Sequence, residues 1–157
     1  MKGDKKIIQH LNVILKNELT AINQYFLHSR ILDDWGLSKM AKHEYDESIE
    51  EMQHADKLIK RILFLEGLPG MQELNKLMIG TDVKEVIEND LKMELQAAKD
   101  LRAAIAHAEG VQDYVSRDLF KAILSDEEGH IDLLETQLHL IKIEGIQNFI
   151  QSQSGAE

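Results

Sequence analysis

"SIEEMQHADK", residues Ser48–Lys57, decides how this chain is read. Glu51 and His54 stand three residues apart, which is about one turn of an α-helix. "SDEEGHIDLLE", residues Ser125–Glu135, repeats that spacing with Glu127 and His130. Met52 lies between the first pair. With Glu51 set at zero and about 100° per residue, Ala55, Leu58, Ile62 and Leu65 fall within about 40° of it. His54 and Glu47 share that face. The acid therefore points where the core residues point.

The same reading holds on three other segments. Glu18 is in register with Leu11, Ile22 and Tyr25. Glu94 is in register with Ile87, Ala98, Leu101 and Ile105. Glu127 is in register with Phe120, Ile123, Leu134 and Leu138. Four Glu and two His thus occupy expected core positions, with no Lys or Arg on those faces near them. An unpaired buried carboxylate costs several kcal/mol. A cation is needed to offset them.

The punctuation is that of long helices, with one Pro, Pro69, and few Gly clusters. The first helix is expected after an Asp4 cap and stops near Trp35-Gly36. The second follows Ser38 and ends before "GLPG", Gly67 to Gly70. The third starts at "GTDVKE", where Asp82 caps and Glu85 completes a capping box; it stops at Gly110. The fourth runs from about Gln112 to Gly145, and a short fifth, "IQNFIQ", follows. The first and second helices, and the third and fourth, are joined by a few residues and form antiparallel hairpins. The second helix is about 42 Å long, and the stretch after it can span about 50 Å when extended. The expected fold is an all-α four-helix bundle with one long crossover between the second and third helices, built as a single domain over residues 1–157.

The spacings bring the six residues together. Glu18 to Glu51 is 33 residues, and Glu94 to Glu127 is 33 as well, with a hairpin turn near the middle of each gap. The two halves repeat at an offset of 76, as a pseudo-twofold would. Four carboxylates carry −4 and two divalent ions carry +4, so two metals neutralise the site. A mixed oxygen and nitrogen set suits iron, manganese or zinc. One Glu from each of two helices and Glu-x-x-His from each of the other two is the arrangement of di-iron carboxylate bundles.

Composition narrows the rest. The chain has 157 residues, 43% hydrophobic and 29% charged, with 28 acidic and 18 basic side chains for a net charge of −10. That argues against nucleic acid as a partner and suits cations, although solubility alone explains it. Cys is absent, which excludes disulfides, iron–sulfur clusters and an attached rubredoxin-like module. No run reaches the ~18 apolar residues of a membrane span. The opening "MKGDKKIIQHLN" has no signal-peptide pattern, so the expected location is cytoplasmic, with no membrane partner.

A second apolar stripe lies near 115° from Glu51: Tyr45, Ile49, Met52, Ile59 and Leu63. Ile8, Leu15, Leu19 and Phe26 extend it on the first helix. Two stripes on neighbouring helices point to an interface with another chain, most simply a twofold dimer. Met52 sits near its middle. Most such methionines fill packing gaps; a thioether beside its own symmetry mate could also bind a haem iron axially.

"NELTAINQYFLHSRI", "ESIEEMQHADK", "RILFLEGLPG", "DYVSRDLFKAIL" and "DEEGHIDLLE" resemble the bacterioferritin family, over essentially the full length. The resemblance implies a 24-mer shell storing ferric mineral and a di-iron ferroxidase centre holding two iron ions in each subunit. The ligands fall on Glu18, Glu51, His54, Glu94, Glu127 and His130, with Glu51 and Glu127 bridging. It implies haem b between paired subunits with Met52 as axial ligand, Tyr25 beside the centre, and a ferredoxin-type reductant as partner. An inner-surface iron site of some members, a His and an Asp, reads Asp46 and Glu50 here, without the imidazole. Asp34, Glu66 and Asp132 resemble pore residues, and His139 stands where some relatives have an acid.

The expected activity is oxidation of Fe(II) by O2 or peroxide, with storage of the ferric product. Two rivals remain at this level: a metal store without turnover, such as one holding zinc, or a haem-free partner subunit; and a di-iron oxidase of an organic substrate.

Overall fold

The structure, a computed structural model, describes residues 1–155. Its helices are α1 (Lys5–Asp34), α2 (Ser38–Phe64), α3 (Val83–Gly110), α4 (Tyr114–Glu144) and α5 (Ile146–Gln153). There is no strand among the described residues. α1 packs along α2, α3 along α4, and α1 against α3. The expected all-α four-helix bundle with one long crossover and a short fifth helix is the fold observed.

Side chains set three of the helix starts. Asp4 accepts from the Ile7 N–H, Asp82 from Glu85, and Asp113 from Ser116. Each satisfies an N–H with no partner inside the helix. The capping box at α3 is displaced by one residue, because Glu85 accepts from the Thr81 N–H at 3.0 Å rather than from Asp82. α2 starts at Ser38 after Leu37, with no side-chain cap.

The two hairpin turns are built alike. Leu37 N–H donates to Leu32 O at 2.9 Å, and Gly36 between them has φ +85°. Asp113 N–H donates to Ala108 O at 2.9 Å, with Gln112 at φ +62°. Both are six-to-one helix terminations with a left-handed residue. Gly36 and Gln112 are themselves 76 residues apart, so the internal repeat includes its turns.

The crossover lies along α1 as a hydrogen-bonded strap. Gly70 N–H donates to Asn12 Oδ1 at 2.8 Å, Asn75 N–H to Thr20 Oγ1 at 2.9 Å, Met78 N–H to Gln24 Oε1 at 3.0 Å, and Gly80 N–H to His28 Nε2 at 3.0 Å. Thr20, Gln24 and His28 are four apart, so one polar stripe of α1 serves a non-periodic strand of backbone. A Cβ on Gly80 would come within 2.4 Å of the Val86 backbone nitrogen, so only glycine fits there.

Two apolar clusters close the bundle. One joins Ile7, Leu11, Ile14, Leu58, Ile62, Leu101, Phe120 and Ile123. The other joins Leu32, Met40, Val86, Ile87, Leu134, Ile141 and Phe149. Along every long helix the metal-type residues fall between them. Leu15 belongs to the first cluster and is fully buried, which corrects its assignment to the second stripe. Ile8, Leu19 and Ile59 also pack against that cluster. What stays open on the α1–α2 face is Phe26, Tyr45, Ile49, Met52 and Leu63.

Candidate metal centre

Glu18 on α1, Glu51 and His54 on α2, Glu94 on α3, and Glu127 and His130 on α4 are all buried and converge. They form two groups of four donors: Glu18, Glu51, His54 and Glu127, and Glu51, Glu94, Glu127 and His130. Glu51 and Glu127 belong to both, so these two carboxylates are shared between the groups. His54 Nδ1 lies 3.6 Å from Glu18, 3.6 Å from Glu51 and 3.4 Å from Glu127. His130 Nδ1 lies 3.5 Å from Glu51, 3.5 Å from Glu94 and 3.7 Å from Glu127.

Both oxygens of Glu18, Glu51 and Glu127, one of Glu94, and the Nδ1 of both histidines are buried without a hydrogen-bond partner. Each orphaned group would cost a few kcal/mol. Oxygen and imidazole donors pointed at one another, and away from everything else, fit two divalent metals. The electrostatics say the same. Burial, then the neighbouring charges of Glu18 and Glu127, pushes the Glu51 carboxyl well up. Burial and Glu127 do so for Glu94. For the imidazoles, burial disfavours the charged form, but the surrounding carboxylates outweigh it, raising His54 to about 11 and His130 to about 12. Without metal, protons supply the missing positive charge.

The outer ring nitrogens are also held. His54 Nε2 lies 2.8 Å from Asp126 Oδ2. His130 Nε2 lies 3.1 Å from Glu50 Oε2 and also contacts Glu47. A carboxylate on Nε2 places the proton there and leaves Nδ1 free to ligate. Although burial opposes it, the bonds to His130 and His43 draw the Glu47 carboxyl down to about 2. Neither Asp126 nor Glu47 stands out in the sequence as a site residue. The signal was present: each Glu-x-x-His is preceded by an acid, Glu50 or Asp126, and these are also 76 residues apart. Each reaches across to the other segment's histidine.

The remaining site residues separate. Tyr25 is buried and its hydroxyl donates to Glu94 Oε1 at 3.0 Å. Glu50 joins donor groups with both histidines. Asp46 does not; it is exposed and takes Lys42 Nζ at 2.8 Å. Met52 is 52% exposed on the open apolar face. Asp34, Glu66, Asp132 and His139 are exposed and contribute nothing to the centre.

The ferritin-like domain profile matches residues 8–143. The chain is 52% identical to a bacterioferritin of Brucella melitensis over 151 residues, 96% of this chain and 94% of that one. It is 52% identical to a bacterioferritin of Rhodobacter capsulatus over 149 residues, 95% and 92% of the two chains. A bacterial ferritin of Pseudomonas aeruginosa is 47% identical over 154 residues, 98% and 99% of the two. No helix among the described residues is long and apolar enough to cross a membrane.

Proposed function

This chain belongs to the bacterioferritin family within the ferritin-like domains, and on that premise we propose that it stores iron and oxidises Fe(II) at the six-residue centre. The observation that carries the reading is the set of buried, orphaned donors shared between Glu18, Glu51, His54, Glu94, Glu127 and His130. Fe(II) is the substrate. Four carboxylates balance the charge of two ferrous ions, Glu51 and Glu127 hold both, and each histidine with its own Glu completes one side. Each ion gives up one electron to O2 or peroxide. Electrostatic compensation favours the higher charge, because the fold holds the four carboxylates around the ions and they cannot relax away.

The same reading takes residues 1–157 as one domain, 24 copies as a hollow shell in the cytoplasm, and the ferric product as its mineral. The same reading assigns haem b to the open apolar face that carries Met52, whose thioether would be the axial ligand. Haem held there would supply one-electron transfer for release of iron, with a ferredoxin-type partner as donor. Oxygen consumption on aerobic addition of Fe(II) tests the oxidase. We expect fast uptake by the wild type and its loss in Glu18→Ala; equal rates would overturn the site. Light scattering tests the shell, since a 24-mer of 18.0 kDa chains is far from a dimer.

A further inference from the structure

The internal repeat relates the ligands, but not their surroundings. Shifted by 76 positions, Tyr25, His28, Glu44 and Glu47 become Leu101, Ala104, Phe120 and Ile123, and Asp90 becomes Ile14. All five apolar counterparts belong to one dry cluster on the Glu18 and His54 side. The five polar residues gather on the Glu94 and His130 side. A symmetric site would need neither set to differ. The extra polar groups therefore have a task that concerns one side only.

Glu44, Asp90 and His28 are buried together, and one donor atom of each lies within 4.8 Å of the others. Their bonding fixes where the protons are. Gly80 N–H donates to His28 Nε2 at 3.0 Å, so the ring proton is on Nδ1 and is donated to Asp90 Oδ1 at 2.9 Å. Gln24 Nε2 donates to the same oxygen at 3.0 Å. With both nitrogens engaged, His28 is not free to ligate a metal. Asp90 Oδ2 and Glu44 Oε2 are left facing the cluster, buried and without a partner. Two carboxylates that share a dry site cannot both be ionised at low cost.

We propose that Glu44 and Asp90, backed by His28, hold a proton for oxygen reduction at the metal centre, delivered through the small cavity that Glu44 shares with Tyr25. This rests on the oxidase reading above. The cavity is ≈ 10 Å³, lined by Tyr25, His43, Glu44, Glu47 and His130 among others, and it has about the volume one water needs. Burial, and then the charge of Asp90, pushes the Glu44 carboxyl well above its ordinary range. The groups that face Glu44 are Tyr25 and His28 on α1, His43 and Glu47 on α2, Asp90 and Glu94 on α3, and His130 on α4. None is a Lys or Arg that would hold it ionised.

Two Fe(II) lose one electron each, and O2 that gains both needs two protons to leave as hydrogen peroxide. Glu44 breaks its carboxyl O–H bond and supplies one of them. Two new positive charges beside it favour that release. The second proton and the refill come from solvent through His43, which is 43% exposed and lines the same cavity.

Glu44→Gln tests this, since it keeps the shape and removes the transferable proton. We expect two Co(II) to bind per subunit as in the wild type, while Fe(II) oxidation slows about a hundredfold. Small weak acids added to the buffer should restore the rate. In the wild type with Zn(II) in the centre, where the ligand-type carboxylates are ionised, an infrared band of a protonated carboxyl should be present, shift in D2O and be missing from Glu44→Gln; with Fe(II) it should bleach during oxidation. A wild type that oxidises Fe(II) with Glu44→Gln equally fast overturns this inference alone. So does loss of a third bound Co(II) in the variant, which would make the cluster a cation site, or a wild type whose carboxyl band never changes. A wild type that does not oxidise Fe(II) overturns the parent reading, and this one with it.

Discussion

The two sides of the centre are built from equivalent positions of an internal repeat, and they differ in kind. Around Glu18 and His54 the walls are Ile14, Leu101, Phe120 and Ile123, all buried apolar side chains. Around Glu94 and His130 the matching walls are Asp90, Tyr25, Glu44 and Glu47. The six ligand-type residues keep the symmetry, as two metals of equal charge would require. The walls abandon it, so one side is sealed by packing and the other carries hydrogen-bonded protons. The lesson is that symmetry in a site speaks of what is bound, and asymmetry around it speaks of what must arrive or leave.

The largest expected effect breaks the dry side. Phe120→Ala should cost about 3–5 kcal/mol of stability, as large-to-small changes in a sealed core do. Denaturant unfolding of the metal-free protein measures it. A cost below ~1 kcal/mol would show that this wall is not close-packed.

Next is the held histidine on each side. Asp126→Asn should weaken metal binding about 10–100-fold, the usual loss when a carboxylate behind a ligating imidazole is removed. Glu50→Gln should do less, because His130 keeps Glu47 while His54 has Asp126 as its outer partner. Competitive Zn(II) titration would rank the two, and the reverse order would contradict the assignment of the outer partners.

pH gives a moderate effect with a definite sign. The ordinary imidazole value is 6.5, and His54 and His130 rise to about 11 and 12 in the metal-free fold. Their contribution to stability is therefore fully present below pH 6.5 and is lost as pH rises through 11 to 12. Metal must displace those protons, so loading at neutral pH should release protons, and affinity should increase with pH. Calorimetry in buffers of different ionisation enthalpy reads the number released. Loading without proton release would mean the histidines are neutral beforehand.

The smallest effect compares the two turns. Gly36 and Gln112 occupy equivalent left-handed positions, φ +85° and +62°. Gln112→Gly should stabilise by about 0.5–1 kcal/mol, and Gly36→Ala should cost about 1 kcal/mol. Nothing lies within 4 Å of an added Gly36 Cβ, so that cost is purely conformational. Thermal melts resolve both, and equal signs would show that the turns are not equivalent.

The helices, the crossover and the convergence of the six ligand-type residues were legible because each leaves a period or a fixed spacing in the sequence. The ligand faces coincide with core faces, and that coincidence is what periodicity reports. Leu15 was misplaced because about 100° per residue leaves neighbouring stripes overlapping at their edges. The strap ladder was not legible: Asn12, Thr20, Gln24 and His28 look like a solvated polar stripe until backbone from elsewhere is laid on it. Asp126, and the part Glu50 plays for His130, were hidden for another reason. Each sits on the flank of its helix, and only the opposing helix shows that its partner is the other segment's histidine. The Glu44, Asp90 and His28 cluster combines residues from three helices with no shared spacing, so the fold alone assembles it.

The strap has one more consequence, for the order of events as the chain folds. Its acceptors on α1, Asn12, Thr20, Gln24 and His28, are spaced by multiples of four residues, and they form a straight row only once α1 is helical. The crossover cannot find its seat on an unformed α1, and its bonds span 52 to 58 residues of sequence. Hairpin formation is local and fast, whereas bringing the second hairpin home waits for that row. The segment that looks like a mere tether thus needs a helical α1 to lie on, and where it lies it brings the start of α3 to the place where Asp90 meets His28.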